Sequence, residues 1–107
     1  MKIKYHLSLV AAFALCQFAL AKMPFSNDVF GRVESTMDHC AQIDHASADK
    51  YEAKKKDTVK GATDSEITEA RNSNEYKAAY KEMSEQLAQM PKDDAMQACT
   101  AALQEKN

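Results

Sequence analysis

Residues 74–90 read NEYKAAYKEMSEQLAQM and carry the strongest apolar stripe of the chain. The apolar side chains recur at helical spacing and share one face: Tyr76, Ala79, Tyr80, Met83, Leu87 and Met90. Pro91 follows directly, and proline both ends a helix and suits the first turn of the next one. The segment therefore predicts an amphipathic helix that packs its stripe against neighbouring helices.

Further apolar stripes lie at both ends of the remaining chain. The last predicted helix begins near Asp93 and Asp94, acids that suit a helix N-terminus, and has one apolar face: Ala95, Met96, Cys99, Ala102 and Leu103. The first predicted helix begins after Ser26 or Asn27 and has another: Phe30, Val33, Met37, Cys40 and Ala41. Alternating apolar runs and Asn-Gly or Asp-Gly turns are absent, so the sequence predicts no sheet.

Two further helices are predicted in the middle of the chain. Ser47 caps a polar one with Ala48, Tyr51, Lys55 and Val59 on one face, and Gly61 fits the helix end after Lys60. Thr63 and Glu66 form a capping box that begins the next, in which Ile67 and Ala70 face inward. Residues 72–74, Asn-Ser-Asn, disfavour helix and predict a break or kink. We therefore expect an all-α bundle of four helices, or five if the chain breaks there.

The N-terminus has the three parts of a cleavable signal peptide. Lys2 and Lys4 precede an apolar run over residues 7–20, and Ala19-Leu20-Ala21 matches the small-residue cleavage pattern. The run is shorter than the ~20 apolar residues that a bilayer span needs. We therefore expect residues 1–21 to be removed, leaving one helical domain over residues 22–107 with no membrane span. The predicted location is the periplasm if the source is bacterial, and otherwise outside the cell.

Cleavage changes the charge and the cysteine count. Residues 22–107 hold twelve Lys and Arg against sixteen Asp and Glu, a net charge of −4, which argues against a nucleic-acid partner. The two remaining cysteines, Cys40 and Cys99, are expected to form a disulfide in an oxidising compartment. Leu, Ile, Val and Phe number only nine in this region, so the core is thin and the disulfide becomes important for folding.

Few side chains suggest chemistry. His39 and His45 lie near acids, but a spacing of six places them on different sides of a helix, which disfavours a metal site. No C-x-x-C-H or G-x-S-x-G motif occurs, and no cofactor or enzymatic activity is predicted. One local basic patch is a candidate interaction surface, with a solvated helix face as the alternative: Lys54, Lys55, Lys56 and Lys60.

The functional interpretation rests on the general type of protein. In size, disulfide and helix content the chain is similar to small single-disulfide helical proteins of the bacterial periplasm, which include immunity proteins and acid-stress chaperones. We expect an exported protein that binds another protein, and immunity or inhibitor activity is one form of this. The alternatives are an acid-stress chaperone, and a small-ligand carrier or accessory subunit of an envelope complex.

Overall fold

A computed structural model describes residues 23–104, and the predicted signal peptide lies outside this range. The described chain is 84% helical, with five α-helices and no strand, which confirms the all-α prediction. A short 3₁₀ helix, His45–Ser47, follows the first α-helix. The α-helices are α1 Asn27–Ile43, α2 Ala48–Thr58, α3 Asp64–Asn72, α4 Asn74–Gln89 and α5 Lys92–Gln104.

Local sequence signals explain where α3 begins and where α4 begins, whereas Ser26 and Ser47 precede α1 and α2 without a side-chain cap. The Thr63 side chain accepts from the Glu66 amide and the Glu66 carboxylate accepts from the Thr63 amide, so the predicted capping box is formed. Ser73 has extended backbone and its hydroxyl accepts from the Tyr76 amide. This residue separates α3 from α4, which confirms a break within residues 72–74 and gives five helices.

Two predicted helix ends need small corrections. α2 ends at Thr58, two residues before Lys60, and Gly61 lies in the following turn with a φ of 95° that favours glycine. Pro91 precedes α5, and its carbonyl accepts the first backbone bond of that helix from Ala95. In both places the sequence identifies the turn residue, but the helix begins or ends at a different residue from the one predicted.

α1 is the central helix and contacts each of the other four, with α4 as its main neighbour. Gly31 lies directly against α4: a Cβ atom there would stand 2.5 Å from the carbonyl oxygen of Tyr76. The two backbones therefore approach as closely as they do only because this position has no side chain.

The core is small, as the composition predicted. The buried apolar side chains are Phe30, Met37, Cys40, Tyr51, Ala70, Ala79, Leu87, Ala95 and Cys99. Met90, which we expected on the α4 stripe, is 40% exposed. It follows the last residue of α4 and has extended backbone, so it leaves the helical face that its spacing implied.

The predicted disulfide is present and joins the first helix to the last. Cys40 and Cys99 are both fully buried, and their Cα atoms are 5.5 Å apart, within the usual range for a disulfide. The bond lies in an apolar core cluster, with Met37 and Tyr51 beside it. Within residues 23–104, no helix is both long and apolar enough to cross a membrane.

Candidate functional site

A buried carboxylate lies between three helices. Glu34 on α1 is 1% exposed, yet it accepts from Arg71 on α3 through both oxygens, at 2.8 Å from Nε and 2.6 Å from Nη2. The Tyr76 hydroxyl on α4 donates to Glu34 Oε1 at 2.6 Å. The Arg71 guanidinium also lies 5.6 Å from the ring centre of Phe30, a favourable cation–π position.

A second carboxylate stands one turn further along α1. Asp38 accepts from Lys55 on α2 at 2.7 Å through Oδ1, and from the Tyr80 hydroxyl on α4 through Oδ2. The Lys55 side chain is only 19% exposed. We call these six side chains the carboxylate cluster: Glu34, Asp38, Lys55, Arg71, Tyr76 and Tyr80.

The cluster changes the protonation of its phenols. The pKa of Tyr76 is raised far above its usual range, chiefly by burial and then by the hydrogen bond to Glu34. The pKa of Tyr80 is raised in the same way by burial and by Asp38. The paired hydrogen bonds to Glu34 also raise the pKa of Arg71. The two phenols therefore remain donors, and Arg71 remains a cation, throughout the physiological range.

The carboxylate cluster works as a tie between helices. It links four of the five helices through two acids, and no buried polar side-chain atom in the described part of the chain lacks a partner. A cleft of about 380 Å³ borders the cluster and also receives Lys77 and Lys81. The carboxylate cluster forms ion pairs, which require both acids to be ionised.

An apolar groove opens on another face of α1. It has a volume of about 370 Å³, and we call it the α1 groove. Its lining residues are Phe25, Arg32, Val33, Thr36, Met37, Lys54, Thr58, Met83 and Ala102. Val29 lies four residues before Val33, hence on the same helix face, and is 41% exposed. The apolar surface therefore extends beyond the groove along α1.

The four lysines of the predicted interaction surface do not share one environment. Lys55 is turned toward Asp38 inside the carboxylate cluster. Lys54 lines the α1 groove, and Lys56 lines a different cleft, between α2 and α3. Lys60 is exposed in the turn after α2. A docking role for this patch stays a prediction.

The two histidines weighed as metal ligands lie at the end of α1 and beyond it. His39 is half-buried on α1, and His45 is exposed in the 3₁₀ helix. In the range 23–104 no group of three or more His, Cys, Asp or Glu side chains is placed to hold a metal ion.

Sequence reasoning missed Glu34, and it considered Asp38 only as an acid beside His39. Glu34 lies four residues after Phe30 and three before Met37, which places it inside the apolar stripe of α1. An acid at such a position implies a buried partner, because an unpaired charge there is very costly. That signal was available. The partner was not, since Arg71 is 37 residues away in the sequence.

Comparisons with known proteins give no relative: no family model, no curated protein and no solved structure matches this chain.

Proposed function

We propose that this chain is an exported protein that acts by binding another protein, and that the α1 groove is its contact surface. The observation that carries the proposal is the uncovered apolar face of the central helix. Few large apolar side chains are available, yet Val29 is exposed and Val33 and Met83 line an open groove. Exposed apolar surface rimmed by polar residues is typical of protein interaction sites.

The groove favours a partner segment with apolar side chains and an acidic flank. Met37 and Met83 supply flexible, polarisable contacts that adapt to an inserted side chain. Arg32 and Lys54 add positive charge at the rim. Among the described residues Arg32 forms no salt bridge, although its charge acts on Asp28 one turn earlier on α1. An immunity or inhibitor protein that blocks a toxin or lytic enzyme is one form of this activity.

An export route agrees with the disulfide. A buried disulfide between α1 and α5 is characteristic of proteins in oxidising, extracellular-type compartments. The A-x-A pattern that ends at Ala21 supports the same route. N-terminal sequencing of the secreted protein tests this point: Lys22 is expected as the first residue, and an intact N-terminus would contradict export with cleavage.

Two exposed apolar residues provide a matched test of the groove. Val29 lies one turn before the groove-lining Val33 on the same face of α1 and is 41% exposed, while Met90 follows the end of α4 and is 40% exposed. The oxidised wild-type protein, Val29→Glu and Met90→Glu serve as baits in an envelope extract of the native host. A partner retained by wild type and Met90→Glu, lost with Val29→Glu and bound directly when purified, is the expected result.

Two other outcomes would count against the proposal. Equal retention by both variants would show that binding does not use the groove, and no stable partner for any bait would contradict protein binding. A partner that still binds Arg32→Glu at full affinity would contradict the acidic flank alone.

A second candidate function is that of an acid-stress chaperone. The observation that favours it is the carboxylate cluster, because protonation of two acids weakens contacts among four helices at once. Apolar surface released in this way is available to unfolded clients. The test is light scattering from an aggregation-prone protein at about pH 3 and pH 7. Protection confined to acid is expected, and aggregation unaffected at both values would contradict this function.

A further inference from the structure

The shortest α-helix is attached to the rest of the bundle by few contacts. α3 has nine residues, and its one buried side chain is Ala70. Isolated helices shorter than about 12 residues are marginal in water, so α3 depends on its attachment. The turn with Gly61 precedes it, and the extended Ser73 follows it. Both ends interrupt the helical backbone, so α3 can unfold without either neighbouring helix.

The strongest contact between α3 and α1 is the Arg71–Glu34 fork. Arg71 reaches across with two hydrogen bonds and covers Phe30, which is fully buried. The two ends of the fork differ in exposure: the Glu34 side chain is 2% exposed and that of Arg71 is 44% exposed. A neutral Glu34 stays inside at little cost, whereas Arg71 is readily solvated once its counter-charge is gone.

We propose that the Arg71–Glu34 pair is an acid-released latch that holds α3 against α1 and α4. Protonation of Glu34 removes the charge that attracts Arg71, and α3 then detaches and loses its helical hydrogen bonds. Detachment uncovers Phe30 and the adjoining face of Tyr76, whose ring centres are 5.3 Å apart. α1 and α5 stay joined by the disulfide. The latch is independent of the partner proposed for the α1 groove.

The charges around Glu34 favour release of α3 in acid. Arg71 faces it from α3, Lys55 lies in the same cleft from α2, and Lys77 and Lys81 border that cleft from α4. Tyr76 donates to Glu34 from α4, and Asp38 stands one turn away on α1. Once both acids are neutral, the four cations are no longer balanced, and their mutual repulsion adds to the opening.

Hydrogen exchange followed by mass spectrometry tests the latch without a client or partner. Oxidised wild-type protein is compared at pH 7 and about pH 3, with rates corrected for the intrinsic pH dependence of exchange. We expect protection of the α3 amides to fall at least about tenfold in acid, while α1 and α5 keep theirs. Glu34→Gln should show the unprotected α3 already at pH 7 and little further change in acid.

The matched control is Glu69→Gln, which neutralises an exposed acid on α3 itself. Its α3 should respond to acid as wild type does. Arg71→Met breaks the latch from its exposed side and decides the matter if Glu34→Gln does not fold. It should free α3 at pH 7 while α1 and α5 remain protected. Full protection of α3 in acid, or loss of protection in all five helices together, would overturn the proposal.

Discussion

A single buried acid, Glu34, determines what kind of neighbour one face of α1 requires. It is the one acid among the fully buried side chains of the described chain, and it pairs with Arg71. Buried ion pairs are costly to desolvate, and removing one partner typically costs about 3–5 kcal/mol. The periodicity of α1 reveals the position of Glu34, but the cation that balances it depends on how α3 folds back.

The raised pKa of Tyr76 predicts that the protein becomes less stable at alkaline pH. Because its pKa is raised on folding, the folded protein holds a proton that the unfolded chain releases near pH ~10. This contribution is complete below that pH and is lost as the pH rises above it. Tyr80 and Tyr51, whose pKa values are also raised, act in the same direction.

Thermal unfolding between pH 8 and pH 11 measures this effect. Tyr76→Phe removes the titrating group, so the melting temperature should fall less steeply above pH ~10 than that of wild type. At pH 8 the variant is expected to be less stable, by about 1–2 kcal/mol, through the lost hydrogen bond to Glu34. Parallel curves for the two proteins would contradict the assignment.

Gly31 predicts an effect opposite to the usual helix preference. Alanine in a helix interior normally stabilises relative to glycine by about 1 kcal/mol. Here the added Cβ would meet the Tyr76 carbonyl at 2.5 Å, so α1 and α4 must separate. We expect Gly31→Ala to lower the free energy of unfolding by about 1–3 kcal/mol, measured by urea denaturation. Gln42→Ala, at an exposed α1 position, is the control and should be close to neutral; equal stability of the two variants would refute the close approach.

At the scale of the element, the helices were predictable because their ends are encoded locally. The Thr63–Glu66 capping box and the polar residues 72–74 lie within one or two turns of the boundary they set. The end of α2 was less predictable, since Val59 and Lys60 are compatible with helix, but the chain turns there and the Lys60 amide donates to the Asp57 carbonyl. The order in which the stripes pair was not predictable, because an apolar face does not specify which neighbour covers it.

The break between α3 and α4 predicts a stabilising role for Ser73. Its hydroxyl donates to the Ala70 carbonyl at 2.7 Å and accepts from the Tyr76 amide at 3.2 Å, so it serves the end of one helix and the start of the next. Ser73→Ala should lower the free energy of unfolding by about 1 kcal/mol. Ser65→Ala, on the exposed first turn of α3, is the matched substitution. Comparable chemical denaturation midpoints for both would contradict this role.

For the whole molecule, the decisive bond is the one between Cys40 and Cys99. It joins residues 59 positions apart, which on the chain-entropy model is worth about 4 kcal/mol. Small domains have net stabilities of only about 5–10 kcal/mol. The pairing was predictable from the two cysteines that remain after the predicted signal peptide and from their places on apolar stripes. The hydrogen bonds around Glu34 and Asp38 were not predictable, since they join residues 17 to 42 positions apart.

Removal of the disulfide should therefore bring the protein close to unfolding. We expect the Cys40→Ser, Cys99→Ser double variant to melt well below the oxidised wild type in calorimetry, with a loss of about 4 kcal/mol. A reducing agent should lower the wild type to the same level and leave the double variant unchanged. An unaltered melting temperature after reduction would show that packing alone maintains the fold.

The same bond makes a covalent ring of the chain from Cys40 to Cys99, and the ring contains α2, α3 and α4. A protease that cuts once inside the ring opens it without separating the two pieces. A nick in the exposed turn at Gly61 would thus leave one molecule in non-reducing electrophoresis and two fragments after reduction. For the exported protein proposed above, damage at this exposed turn does not by itself dismantle the molecule.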